Sequence, residues 1–353
     1  MTSGAHQNNF DVLRLLFAGA VFLWHAHVLP AFSLPASISA LLSLGADWGV
    51  KGFFVVSGYL IMQSYDNSRS VREYAGKRLR RIYPAYVTVV VLGAAIGAAL
   101  TRFPLSEYLS GALLQYLVAN LLFLNFLAPT LPGVFEGHVV PEVNGALWTL
   151  KIEVMFYALL PALVWTFARL GKGRMLTLLY ILSLLYSVSL CTLYETTGRG
   201  IWLQLQRQLP GQLTYFIVGI AHYAYRDILA RHGRTIVVAA VVVLAVVRAL
   251  DCVALAIAAE PLALGALVVF AAIGVRFLGN AARFGDFSYG LYIFHFPVLQ
   301  ALIALGVFGG SPTVALLASA FAVILVAALS WHLVERPFLS ARSHYRIAES
   351  SHS

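Results

Sequence analysis

Charge is what this chain has least of. Only 11% of its residues are Asp, Glu, Lys or Arg, against roughly 25% in an ordinary soluble domain. Hydrophobic residues make up 60%, and the mean hydropathy is +0.81. Those values exclude a water-soluble fold and leave an integral membrane protein. Cysteine is scarce as well: Cys191 and Cys252 lie near the outer ends of apolar stretches, where either a bridge in an oxidising compartment or two small buried hydrophobes fits. There is no low-complexity tract, linker, repeat period or second soluble domain, and no metal site is expected. Only the first nine or so residues and the last fifteen read as polar tails.

Apolar stretches recur near residues 10–30, 44–64, 83–101, 146–168, 175–195, 211–225, 235–250, 256–276, 287–308 and 313–333. Most approach the roughly 20 residues that cross the hydrocarbon as a helix. The expected fold is therefore all-α, a polytopic membrane bundle of about ten transmembrane helices. The first stretch reads as a span rather than a cleaved leader, because its only early positive charge, Arg14, lies within the apolar run. Segment 105–128 carries Glu107, Gln115, Asn120 and Asn125, and it reads as lying at the surface or only partly inserted. Pro129, Pro132, Gly133, Gly137 and Pro141 then forbid a continuous helix, which makes 102–145 a cap or rim able to hold a substrate.

Ten spans put both termini on one side. Arg69, Arg72, Lys77, Arg78, Arg80 and Arg81, with Arg342 and Arg346 near the end, fall on that side, whereas Arg102, Arg199, Arg207 and Arg248 fall opposite. Basic loops stay in the cytoplasm, so both termini are expected there, in a bacterial inner membrane. The net charge of +9 follows from this asymmetry and does not point to nucleic acid. A basic cytoplasmic rim does attract phosphorylated ligands and anionic membrane lipids.

Arg14 and His25 stand ten residues apart inside the first stretch. Eleven steps of about 100° bring them to one helix face, roughly 16 Å apart along the axis. A charge at the bilayer centre costs about 3 kcal/mol on insertion scales, so such a stripe suggests function; the alternative is that Asp11 neutralises Arg14 and His25 is an interior neutral residue. GADWGVKGFFVVSGYLIMQSY places glycines at 45, 49, 52 and 58, which suit close helix packing, and sets Asp47 four residues from Lys51, at pairing distance. SRSVREYAGKRLRRIYPAY reads as a short inside loop with six basic residues. Arg78 and Arg81 share a face there, and their guanidinium forks suit phosphate, although a positive-inside anchor has the same composition. In NGALWTLKIEVMFYALLP, Glu153 lies too far around the helix from Lys151 to pair with it; it either orients a histidine or holds a helix junction. His295 precedes Pro297 by two residues, and the proline can turn its imidazole inward. Glu335 and Arg336 read as a boundary pair.

Taken in order, FDVLRLLFAGAVFLWH, GVKGFFVVSGYLI, KRLRRIYPAY, ALWTLKIEVMFY, SYGLYIFHFP and VERPF resemble the motifs of the acyltransferase-3 family of integral membrane acyltransferases, which modify surface and secreted glycans. Lys51 departs from the pattern, since many members carry an acidic residue two positions before the paired phenylalanines. The resemblance implies that residues 1–353 form one membrane acyltransferase domain without the extra hydrolase-like domain of some relatives. It implies an O-acyltransferase that moves an acyl group, acetyl foremost, from cytoplasmic acetyl-CoA, a donor substrate rather than a permanent cofactor, to a hydroxyl of a glycan. His25, Glu153 and His295 would then be catalytic, Arg14, Arg78 and Arg81 would bind the coenzyme, and Trp148 would face the acceptor. The rival expectations are a secondary transporter or lipid-linked glycan flippase, which also use intramembrane Arg, His and Glu, and an envelope scaffold. The oligomeric state is not legible.

Overall fold

The computed structural model describes residues 8–279, 281–340 and 343, and among these there are helices but no strand. In chain order the helices are α1 Phe10–Val28, α2 Ala36–Asp66, α3 Val71–Leu100, α4 Leu105–Tyr108, α5 Gly111–Leu121, α6 Trp148–Leu170, α7 Lys172–Thr197, α8 Ile201–Gln206, α9 Leu209–Ala224, α10 Arg226–Leu250, α11 Val253–Ile273, α12 Phe287–Ala304 and α13 Pro312–Ser330. Nine of the described helices are long and apolar enough to cross a membrane, one fewer than the ten stretches suggest. The difference is α9, whose 16 residues fall short of the usual span length. Segment 105–128 breaks into α4, α5 and a short 3-10 turn. The 11 residues of α5 reach only about 16 Å, so no helix crosses there.

Two expectations change. The basic segment is a loop only as far as Ser70: α3 begins at Val71 and runs through Pro84, so Arg72, Lys77, Arg78, Arg80 and Arg81 stand on a helix. The N-terminal polar segment does not stay wholly exposed either. Asn9 is buried, and its side-chain amide donates to the Ala271 carbonyl at 3.1 Å. Of the tails, residues 1–7, 341, 342 and 344–353, Arg342 and Arg346 among them, lie outside the described residues. Both cysteines are free, Cys252 being exposed.

Prolines inside these helices free carbonyls that other side chains then satisfy. Pro161 has no N–H for the Tyr157 carbonyl, and Tyr74 Oη donates to that oxygen at 3.3 Å. Pro297 leaves the Ile293 carbonyl open, and Asn144 Nδ2 donates to it at 2.8 Å. This is how a spanning helix keeps a proline without an unsatisfied polar group in hydrocarbon.

Two compact units are distinguished. The first takes in the chain up to Leu13 with Val50–Ala75 and Ile152–Gly279; the second takes in Arg14–Gly49, Gly76–Lys151 and the chain after Gly279. In the first unit α9 is buried from Gly211 to Ile220. A Cβ on Gly58 would strike the Phe216 carbonyl, and one on Gly219 the Val55 carbonyl, so backbone meets backbone as small residues in membrane helices allow. Phe216 stacks on Phe54 and Phe156, with centroids 4.8 and 3.8 Å away.

In the second unit α12 is the innermost helix, buried at every residue from Ser288 to Gln300. Gly290 lets it approach α13, since a Cβ there would lie 3.0 Å from Ala327 Cα. The rim of the same unit is tied down by tyrosines: Tyr108 Oη donates to the Ala94 carbonyl at 2.6 Å and Tyr86 Oη to the Asn120 carbonyl at 2.8 Å.

Candidate active site

The second unit brings four of the seven sequence-predicted site residues into two groups, both built on α12. At the start of the helix Asp286 is the N-cap, and its Oδ1 accepts from the Ser288 N–H and hydroxyl. Its other oxygen, Oδ2, takes Arg81 Nη2 at 2.5 Å and Arg14 Nη1 at 2.9 Å. Arg81 also donates through Nη1 to Glu335 Oε2 at 2.8 Å, and Glu335 Oε1 accepts from Ser330 at 3.0 Å. The Arg81 guanidinium lies over the rings of Tyr289 and Trp331, 5.2 and 5.9 Å from their centroids. Two cations and two carboxylates thus compensate one another in a buried cluster, as buried charges require. Burial alone would raise the Asp286 carboxyl, but Arg14, Arg81 and the Ser288 hydrogen bonds outweigh it and hold the group at about 2.

Asp286 and Glu335 are absent from the sequence-predicted set. Asp286 carries a local signal, a D-x-S pattern at the mouth of an apolar run, which marks an N-cap. Glu335 carries little, because its inward aim depends on a π turn over Trp331–Glu335 that re-registers the end of α13. Such turns recur at functional sites.

Nine residues further along α12, His295 is fully buried, and its Nε2 meets His25 Nδ1 at 2.9 Å. The Arg14 and His25 contacts are 11 residues apart on α1 and nine apart on α12, in the same order, so these helices run parallel. The histidine pair therefore sits roughly 15 Å along the axis from the ion cluster.

Hydrogen bonding sets the tautomers. The Tyr292 carbonyl, 2.7 Å from His295 Nδ1, can only accept, so that nitrogen donates. In a neutral ring His295 Nε2 is then an acceptor, and His25 Nδ1 must supply the proton between the rings. His25 Nε2 is left with its lone pair. His25 is half-buried and packs edge-on against Phe296 at 5.2 Å, so it is the reachable ring of the two, with His295 behind it.

The other three residues lie elsewhere. Arg78 is half-buried on α3, one turn before Arg81. Trp148, also half-buried, is the first residue of α6, and the next residue, Thr149, bonds the Tyr292 hydroxyl at 2.7 Å. Glu153 belongs to the first unit and accepts from Ser57 Oγ at 2.8 Å and Tyr157 Oη at 2.5 Å. In that unit Lys51 reaches Glu260 at 2.7 Å, with its ammonium 5.7 Å from the centre of the Tyr215 ring. The residue that departs from the family motif thus has a carboxylate partner 209 positions away. Among the described residues no group of three or more His, Cys, Asp or Glu is placed to hold a metal ion.

A family model described as an acyltransferase domain matches residues 7–333, nearly the whole chain. The chain belongs to the acyltransferase-3 family. It is 29% identical over 351 residues to an O-acetyl transferase of Shigella phage Sf6, covering 96% of this chain and 98% of that one. It is 28% identical over 368 residues to nodulation protein 10 of Rhizobium leguminosarum bv. viciae, covering 97% and 95%. A shorter likeness, 29% over 197 residues, joins it to the peptidoglycan O-acetyltransferase OatA of Listeria monocytogenes, covering 53% of this chain and 29% of that one. No solved structure matches it significantly.

Proposed function

We propose that this membrane protein is an O-acyltransferase that takes an acyl group, acetyl foremost, from cytoplasmic acyl-CoA and delivers it to a hydroxyl of a cell-surface or exported glycan. The carrying observation is the pair His25–His295, in which one half-buried imidazole keeps a free Nε2 lone pair while the other, fully buried, fixes its tautomer. The names of the phage and Listeria relatives, both O-acetyltransferases, support the acyl group and the hydroxyl.

In this reading His25 Nε2 takes the proton of the acceptor hydroxyl as its oxygen attacks the thioester carbonyl. The carbon–sulfur bond breaks, the coenzyme leaves as a thiolate, and the proton held on His25 passes to sulfur. Ester and free coenzyme result, and the atoms balance. His295 is a positioning residue. Arg78 meets the coenzyme phosphates, while Arg14 and Arg81 assist from the Asp286 cluster. Trp148 offers an aromatic face to the sugar, and Glu153 braces α2 and α6. Both termini face the cytoplasm of a bacterial inner membrane, with α9 as the tenth crossing. The Asp286 end of α12 then lies on the donor side and the Gln300 end on the acceptor side.

Mass spectrometry of surface glycans from cells with and without the gene tests this. The reading expects a gene-dependent mass increment of one acyl group, removable by mild base. Identical glycan masses, with altered glycan export, would replace it with a transport function.

A further inference from the structure

Gln300, fully buried on α12, holds part of the rim in place. Its Nε2 donates to the carbonyls of Val140 and Glu142 at 2.7 and 2.8 Å, and its Oε1 accepts from His138 Nδ1 at 2.7 Å. Asn144 is bound to the Ile293 carbonyl, and the Val143 N–H donates to the Pro129 carbonyl at 2.9 Å. The backbone of 140–144 is therefore fixed against the same helix that carries His295.

Within this fixed segment the Glu142 side chain is an anomaly. It is half-buried, and its carboxylate has no hydrogen-bond or ionic partner among the described residues. Burial pushes the carboxyl above its usual range, with no compensating donor. The Asp286 and Glu335 carboxylates receive six donor contacts between them, whereas this one is left open, at the cost such groups carry. The carboxylate has a definite place. A Cβ on Gly145 would lie 2.9 Å from both Glu142 Oε2 and the Phe296 ring edge, and Phe296 is the ring against which His25 packs. Glycine is what lets the carboxylate and the buried ring edge lie against this turn.

We infer that Glu142 is an acceptor-binding residue that takes a hydrogen bond from a sugar hydroxyl neighbouring the one acylated at His25, with Gly145 leaving room for the carboxylate beside Phe296. A half-buried carboxylate with unused acceptor capacity suits a sugar, whose ring presents hydroxyl donors at its rim. The inference rests on the acyltransferase reading.

The test uses the full-length protein in liposomes, acetyl-CoA as donor, and as acceptor the polysaccharide fraction released from the surface of cells that lack the gene. Glu142→Ala should raise KM for the polysaccharide on the order of tenfold or more, the usual worth of a hydrogen bond to a charged group. Its kcat and its KM for acetyl-CoA should stay within about twofold of wild type. Glu142→Gln, which keeps an accepting oxygen, should recover part of the loss, and Gly145→Ala should raise the polysaccharide KM as well. The thermal midpoint of Glu142→Ala should equal or exceed that of wild type, because an unpartnered carboxylate has been removed. An unchanged polysaccharide KM in Glu142→Ala, or a lowered midpoint with kcat and both KM values falling together, would overturn the assignment. Absence of transfer by wild type would overturn the acyltransferase reading itself, and this inference with it.

Discussion

At one end of α12 Asp286 meets two guanidinium groups, and at its middle His295 meets a single imidazole. The first grouping is closed: Arg81 is bound by Asp286 and Glu335, each carboxylate is further held by a serine, and aromatic rings flank the guanidinium. The second is open: the buried ring uses both nitrogens, while the half-buried one keeps a nitrogen in reserve. Two ionisable groupings on one helix thus divide the work. The cluster fixes α1, α3 and α12 and the turn after α13 against one another, and the histidine pair leaves the His25 Nε2 lone pair for the substrate proton in the proposed mechanism.

The sharpest way to break this division is at Asp286. Asp286→Ala leaves Arg14 and Arg81 without the oxygen they share, and breaking a buried charge pairing from one side costs about 3–5 kcal/mol. The expected outcome is loss of monodisperse protein in detergent, read by size-exclusion chromatography and thermal unfolding. A stable, well-folded Asp286→Ala would show that the cluster is not closed in this sense.

At the open grouping the sign reverses under the proposed role of His25, since removal of a base would cost activity and not folding. His25→Ala should lower kcat by about 10²- to 10⁴-fold, the range for a general base, at unchanged expression and thermal midpoint. His27→Ala should be tolerated, because His27 faces Ser39, 3.1 Å away, and not His295. His295 is separable from His25 by rescue. His295→Ala should cost on the order of tenfold to a hundredfold through lost orientation, and His295→Gln should recover part of it by offering His25 Nδ1 a carbonyl oxygen. Equal losses in both His295 variants would remove the tautomer argument.

The helices and the Arg14–His25 stripe were legible because they depend on local period. An 11-residue spacing places Arg14 and His25 on one face whatever packs against it. What that face meets was not legible, since Asp286 and His295 stand more than 250 residues away. Glu335 beside Arg336 looked like a boundary pair because the eye stops at the adjacent charge, and no residue in WHLVE announces the π turn that aims Glu335 inward. The basic run 77–81 looked like a loop because it is polar and precedes a proline, yet a spanning helix accommodates that proline. His295 was singled out for Pro297, and the freed Ile293 carbonyl explains more than the imidazole's aim: it anchors Asn144 of the rim.

A milder effect belongs to Arg78. Its replacement by Ala should raise KM for acetyl-CoA with little change in stability, and Lys should restore little because a point charge lacks the planar fork. Calorimetry with acetyl-CoA would read this directly, and unchanged affinity would reduce the basic face of α3 to a topology signal.

Smallest in its effect on the molecule, and most direct for the account, is labelling at the two faces of the membrane. If the Asp286 end of α12 serves a cytoplasmic donor and the Gln300 end an external acceptor, Ser68 and Gly137 lie on opposite sides. A Cβ at Gly137 would meet Arg102 only at 3.7 Å, so a cysteine fits there without strain. In intact cells the account predicts that Gly137→Cys reacts with an impermeant thiol reagent and Ser68→Cys reacts only after the membrane is opened. Labelling of Ser68→Cys from outside, with Gly137→Cys protected, would put the arginines on the wrong side of the membrane and contradict transfer across it.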